Sequence, residues 1–191
     1  DGKDLSYEQL DQNLVEELVD FIAQRPELTP ALCGKENAYL EKNSDSKFVK
    51  MMKYYLPKHK IVDSFEQLPD DVFFKFTVDV PKEKTLSTVD EINKKFAGRV
   101  FATSSGFGNF DLILPHVNKA VGLEKMLTSW NLTLDDLVAF GDGGNDLEML
   151  KAAGLSYAME NGSDEVKKVA DKIAPNNNDS GVLKVLADYL M

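Results

Sequence analysis

Leu137-Val-Ala-Phe-Gly141-Asp142-Gly143-Gly144-Asn145-Asp146-Leu-Glu-Met-Leu150 is the stretch that decides the fold. An apolar run of strand length ends in Gly-Asp, passes two glycines and enters a helical pattern at Asn-Asp. In open parallel sheets, ligands bind beyond the carboxyl ends of the strands. Asp142 falls at such an end, where a carboxylate is a hard oxygen ligand suited to Mg²⁺. Gly143 and Gly144 allow a sharp turn and close backbone approach to a ligand. Asn145 and Asp146 fall at the cap and first turn of the next helix, where free N–H groups favour anions. Either residue alone would be read as a helix cap or turn closure; the combination after a strand reads as a site. A calcium loop does not fit, because the twelfth position counted from Asp142 is Ala153, where an EF-hand needs Glu.

Outward from this stretch, helix and strand alternate. Helix 118–130 precedes strand 137–140, helix 145–152 precedes strand 155–159, helix 164–170 precedes strand 172–174, and 181–190 is a final helix. Such alternation implies a parallel, doubly wound sheet. Before Pro115 the rhythm differs. A strand is expected over 3–9, with Leu5 and Tyr7 on one face, then an amphipathic helix over 10–24. Two short apolar runs flank Gly34 to Asn37 as a hairpin, a helix covers 46–56, and Ile61-Val62 is a short strand. Val72 to Val80 (VFFKFTVDV) is a further strand, and 84–96 a third helix. Segments 99–104 and 107–114 form a hairpin around Ser105-Gly106, so Gly106-Phe107-Gly108 is a turn and not a dinucleotide loop. The expected organisation is 1–9 as the end of a core hairpin or linker, 10–114 as an α+β domain, and 115–191 as part of a parallel α/β core.

The whole chain has 191 residues, 22 basic and 32 acidic side chains, and a net charge of −10. That balance repels phosphate backbones and argues against nucleic-acid partners. No apolar run approaches the roughly 20 residues of a membrane span. The single cysteine, Cys33, cannot form an internal disulfide and suits a reducing cytoplasm. One cysteine with two distant histidines, His59 and His116, excludes a Cys/His zinc site. Asn161-Gly162-Ser163 matches a glycosylation sequon but reads as turn chemistry.

The run Gly141-Asp-Gly-Gly-Asn-Asp-Leu-Glu-Met-Leu150 resembles motif IV of the haloacid dehalogenase-like hydrolases, in particular the Cof-type sugar-phosphate phosphatases. Leu114-Pro-His-Val-Asn-Lys119-Ala-Val-Gly-Leu resembles their motif III segment. Ala153 to Gly162 and Asn178 to Leu183 resemble the following strand and the entry to the last helix. Over 10–114 the order of elements resembles the α/β cap inserted before motif III. The resemblance implies a partial Rossmann-like core with an inserted α+β cap. It also implies a Mg²⁺-dependent phosphomonoester hydrolase acting on a small phosphorylated metabolite through a phospho-aspartate. Asp142 would bind Mg²⁺ and Asn145 would hold phosphate. Asp146 would support the metal site in its outer shell, and Lys119 would neutralise phosphate and the catalytic carboxylate.

The family's first motif, Asp-x-Asp-Gly-Thr, has no counterpart here, and neither does its second, a Ser/Thr strand end. Asp1-Gly2 is read as a hairpin turn. Two βα units, at least about 60 residues, are missing against the family pattern. The chain is therefore expected to be a C-terminal piece of a longer phosphatase, without significant turnover alone. Its exposed core edge would offer a route to homo-oligomers. The alternative is a non-catalytic remnant or binding module on the same fold.

Overall fold

The computed structural model describes residues 4–106 and 108–190. The chain divides into two compact units, Tyr7–Pro115 and the combination of Asp1–Ser6 with His116–Met191.

The first unit carries a six-stranded sheet in the order β3-β2-β1-β4-β6-β5. Its strands are β1 (Thr29–Gly34), β2 (Ala38–Glu41), β3 (His59–Val62), β4 (Phe73–Asp79), β5 (Phe101–Gly106) and β6 (Asn109–Ile113). Strand alternation splits the sheet into two faces. Leu32, Tyr39, Phe76, Val78, Ala102, Phe110 and Leu112 turn one way and form the main core. Two helices close it: α1 (Gln12–Ala23) through Val15, Leu18, Phe21 and Ile22, and α3 (Thr85–Lys95) through Ile92. Asp11 starts α1 by accepting the Asn13 and Leu14 N–H groups at 3.0 and 3.4 Å. On the opposite face, α2 (Ser46–Tyr55) packs on Ala31 and Leu40 through Phe48 and Met52.

The Asp71 carboxylate accepts the N–H groups of Glu36, Asn37 and Val72 and the Tyr39 hydroxyl, at 2.8–3.2 Å, and so closes the β1–β2 hairpin. Burial raises its pKa, but these donors outweigh burial and hold it below the ordinary carboxylate value.

Two expectations change. Residues 4–11 carry no regular structure where a strand was expected over 3–9. Leu5 and Tyr7 alternate correctly but stay 66% and 51% exposed, and alternation without a ladder partner does not make a strand. Asp1, Gly2 and Lys3 lie outside the described residues. The short strand at Ile61-Val62 begins at His59 and pairs parallel to β2, so β2-α2-β3 is a crossover unit within a largely antiparallel sheet. Phe107, read as the start of the last strand of this unit, also lies outside the described residues.

The second unit is the parallel α/β layer. Its strands β7 (Val138–Gly141), β8 (Leu155–Met159) and β9 (Lys172–Ala174) pair in sequence order, all parallel. Ala139 and Ala158 pack with Leu150 of α5 (Leu147–Ala152) and Val166 of α6 (Asp164–Val169). From the other face, Tyr157, Met159 and Ala174 meet Val182 and Val185 of α7 (Gly181–Leu190), and Phe140 stacks on Tyr157 with ring centres 5.0 Å apart. Helix α4 (Lys119–Ser129) lies against α5. Helices thus cover both faces, as alternation predicts. β7 is an edge of this sheet among the described residues. No described helix is long and apolar enough to cross a membrane.

Candidate active site

Because β7, β8 and β9 run parallel, their carboxyl ends share one edge. Asp142 follows β7 directly, and its side chain is exposed. Among the described residues, its carboxylate has no hydrogen-bond or ion-pair partner. After Gly143, residues Gly144–Asp146 form a 3-10 turn before α5. Asp146 therefore stands at the N-cap position of α5, as expected, and Asn145 just before it rather than in the first turn. Asp146 turns back under the loop and is only 4% exposed. One of its carboxylate oxygens accepts the backbone N–H groups of Asp142 and Gly143, at 2.9 and 3.1 Å. The other accepts the Lys119 ammonium.

Lys119 is the first residue of α4, with Asn118 capping the helix by accepting the Val121 N–H at 3.0 Å. This start fixes the lysine stem, and the ammonium end stays half exposed. Burial pushes the Asp146 pKa up. The Lys119 ammonium and the Gly143 and Asp142 N–H groups overcome that and hold it below the ordinary aspartate value. Asp146 is accordingly an anion that ties cation and loop together.

The glycines have a steric explanation. A Cβ on Gly141 would stand 2.6 Å from the Asp146 Cβ, so only glycine lets the buried carboxylate fold beneath the strand end. A Cβ on Gly162 would meet the Met159 carbonyl at 2.9 Å and the Asp142 Cα at 3.1 Å. The loop after β8 therefore presses directly on Asp142, and the Ser163 N–H donates to the Asp142 carbonyl at 3.1 Å. Asn161 in turn accepts the Asn177 N–H at 2.9 Å, joining the loops after β8 and β9.

Of the residues named from sequence, Lys119, Asp142 and Asp146 come together on this edge. Asn145 sits on the same turn with an exposed side chain. The loop Asn161–Ser163 was missed as part of the site. Its signal was present, a glycine-containing turn directly after a parallel strand, but turn chemistry alone does not say what the turn leans on.

Magnesium binds octahedrally through one or two carboxylates and several waters. Asp142, a hard and unpaired carboxylate, fits as one such ligand. Asp146 is already saturated and suits an outer-shell role. Among the described residues no group of three His, Cys, Asp or Glu side chains could enclose a metal, so an ion here would keep most of its positions for water and substrate.

Residues 1–186 match the family described as haloacid dehalogenase-like hydrolase. The chain is 35% identical over 190 residues to the 5-amino-6-(5-phospho-D-ribitylamino)uracil phosphatase YbjI of Escherichia coli (strain K12), covering 100% of this chain and 70% of that protein. It is 42% identical over 79 residues to the phosphatase YitU of Bacillus subtilis (strain 168), named for the same substrate, covering 41% of this chain and 29% of that protein. Among solved structures, SMU.1108c from Streptococcus mutans UA159 superimposes with a TM-score of 0.88 at 39% identity, covering 96% of this chain and 69% of that one. The subclass IIB sugar phosphatase BT4131 shares the fold, with a TM-score of 0.82 at 19% identity over 97% of this chain and 69% of that one.

Proposed function

The chain belongs to the haloacid dehalogenase-like hydrolase family, and from that premise we propose that it carries the metal- and phosphate-holding part of a Mg²⁺-dependent phosphomonoesterase acting on a small phosphorylated metabolite. The observation that supports this reading best is the shared anchoring of Lys119 and the Asp142 loop on one buried carboxylate, Asp146. Phosphoryl transfer is mostly positioning and charge neutralisation, so a rigidly held cation beside a free carboxylate is the equipment required. Lys119 neutralises phosphate oxygens, the Asn145 amide donates to one of them, and Asp142 supplies a metal ligand. Bound Mg²⁺ would add Lewis-acid stabilisation of the phosphoryl group.

The nucleophilic aspartate of the proposed phospho-aspartate route is not assigned to any residue of this chain. The phosphate-bearing organic portion is proposed from the relatives, whose names specify a phosphorylated ribitylamino-uracil.

The test is release of inorganic phosphate from small phosphomonoesters, including 5-amino-6-(5-phospho-D-ribitylamino)uracil, by the complete product of the gene. Activity is expected with Mg²⁺ and is expected to vanish on chelation with EDTA. The 191-residue chain assayed by itself is expected to leave p-nitrophenyl phosphate intact. Metal-independent hydrolysis, or robust turnover by the 191-residue chain, would contradict the assignment of roles.

A further inference from the structure

Residues 42–60 differ in charge from the rest of the chain. They hold six of its 22 basic side chains, all lysine, and one of its 32 acidic ones, in a chain whose net charge is −10. All belong to the Tyr7–Pro115 unit, on α2, the edge strand β3 and the turns beside them. Helix α2 turns Phe48 and Met52 onto the sheet and leaves Lys47, Lys50, Lys53, Tyr54 and Tyr55 exposed. Lys47, Lys50 and Tyr54 stand at i, i+3 and i+7, which is one stripe of the helix.

Two of the six lysines have acidic partners, Lys42 with Asp63 at 3.7 Å and Lys58 with Glu36 at 3.2 Å. The ammonium groups of Lys47, Lys50, Lys53 and Lys60 have no hydrogen-bond or ion-pair partner among the described residues. The single acid, Asp45, is taken up in capping: its carboxylate accepts the Lys47 and Phe48 N–H groups at 2.9 and 3.0 Å. Tyr54 and Tyr55 are 82% and 67% exposed, and their rings meet edge to face with centres 5.2 Å apart. Like charges gathered on a helix about 15 Å long repel one another, and adjacent large rings left in water bury little. Folding alone therefore does not account for the set, and an exposed patch of this kind marks an interaction surface.

We infer that the outer face of α2 docks on an anionic lipid bilayer, with the lysine ammonium groups among the lipid phosphates and carboxylates and the two tyrosine rings at headgroup level. Three features favour a bilayer over other polyanions. The face is the convex outside of a helix, which a bilayer accepts, whereas single-stranded nucleic acid is held in a groove that tracks its backbone. Its charge is carried by lysine alone. A bilayer responds to point charge, whereas planar recognition of phosphopeptides and bases relies on arginine forks. Lysine is depleted in protein–protein interfaces, and tyrosine is enriched at membrane–water interfaces. The acidic remainder of the chain does not cancel the attraction, because charges more than about 8–10 Å away are screened at ordinary salt. Adsorption of this kind needs no membrane-spanning segment.

The experiment is co-sedimentation of the 191-residue chain with vesicles of phosphatidylcholine containing roughly one-third phosphatidylserine, compared with pure phosphatidylcholine. The chain is expected to sediment with the anionic vesicles only, and to be released as salt is raised. Each lysine near such a surface contributes a factor of about five in partitioning, so Lys47→Gln, Lys50→Gln and Lys53→Gln combined are expected to lower it about 100-fold. The same three positions changed to arginine keep the charge and are expected to retain binding. Tyr54→Ser with Tyr55→Ser, a loss variant that leaves the charge untouched, is expected to lower partitioning about tenfold. Circular dichroism of each variant establishes that it is folded. Failure to sediment with anionic vesicles, equal binding to pure phosphatidylcholine, or indifference to both the glutamine and the serine variants would overturn the inference. So would tighter binding to a single-stranded oligonucleotide or to poly-L-glutamate than to the vesicles.

Discussion

Asp146→Ala is expected to remove about 3 kcal/mol of stability from the unit that contains the parallel sheet. The change strands the Asp142 and Gly143 N–H groups inside the turn and releases the Lys119 ammonium from its only ionic partner among the described residues. The half-exposed lysine can regain water, which keeps the loss toward the low end for a broken buried pair. The single tryptophan, Trp130, lies at the end of α4 in the same unit, so its fluorescence during urea unfolding reads the effect there. The pH dependence has a defined sign. Asp146 has a folded pKa below its unfolded value, so its contribution is complete above about pH 4 and is lost as pH falls through the lower folded value. The gap between wild type and Asp146→Ala is therefore expected to be widest near neutrality and to shrink below pH 4. A gap that persists unchanged into acid would mean that the carboxylate charge is not what holds the turn.

Asp142→Asn is expected to have the opposite profile: function without stability. Its side chain is exposed and makes no contact that the fold uses, so the unfolding midpoint should stay within about 0.5 kcal/mol of wild type. The substitution keeps shape and removes the charge that would hold the metal. In the complete gene product, kcat/KM for phosphomonoesters is expected to fall about 100-fold or more. Steady-state kinetics with varied Mg²⁺ checks this, since higher metal should recover only part of the loss. Full activity in Asp142→Asn would remove Asp142 from the site. An equal loss of stability would make it structural.

These two aspartates also show what is legible in the sequence. A strand ending in Gly-Asp and followed by Gly-Gly-Asn-Asp places these aspartates at the carboxyl edge of a sheet, because parallel strands bring those ends together whatever their registers. The helix–strand alternation after Pro115 was readable for the same reason: it depends on local periodicity. What Asp146 does was not readable. Its inward turn depends on the absence of a Cβ at Gly141 and on a lysine 27 positions upstream, a packing relation with no local signature. The Asn161–Ser163 loop was hidden similarly, because its function is to press against Asp142 from a neighbouring strand. In the other unit, the parallel pairing of β3 with β2 escaped notice because four residues carry too little pattern to specify a partner. The expected strand over 3–9 failed from the opposite cause: alternation was present, and a ladder was not. The polar face of β4 was written in the sequence as Lys75, Thr77 and Asp79 at every second position, yet only the register with β6 reveals that Asp79 faces Asn109.

The central claim is that the carboxyl edge of β7, at Asp142, is where a divalent metal and phosphate meet this chain. Mn²⁺ prefers the same oxygen ligands as Mg²⁺ and broadens nearby NMR signals. Adding substoichiometric Mn²⁺ with inorganic phosphate to the ¹⁵N-labelled chain should bleach the amides of 141–146 and 161–163 first, and Asp142→Asn should abolish that preference. Broadening that begins elsewhere on this acidic surface, or that is indifferent to Asp142→Asn, would contradict the account.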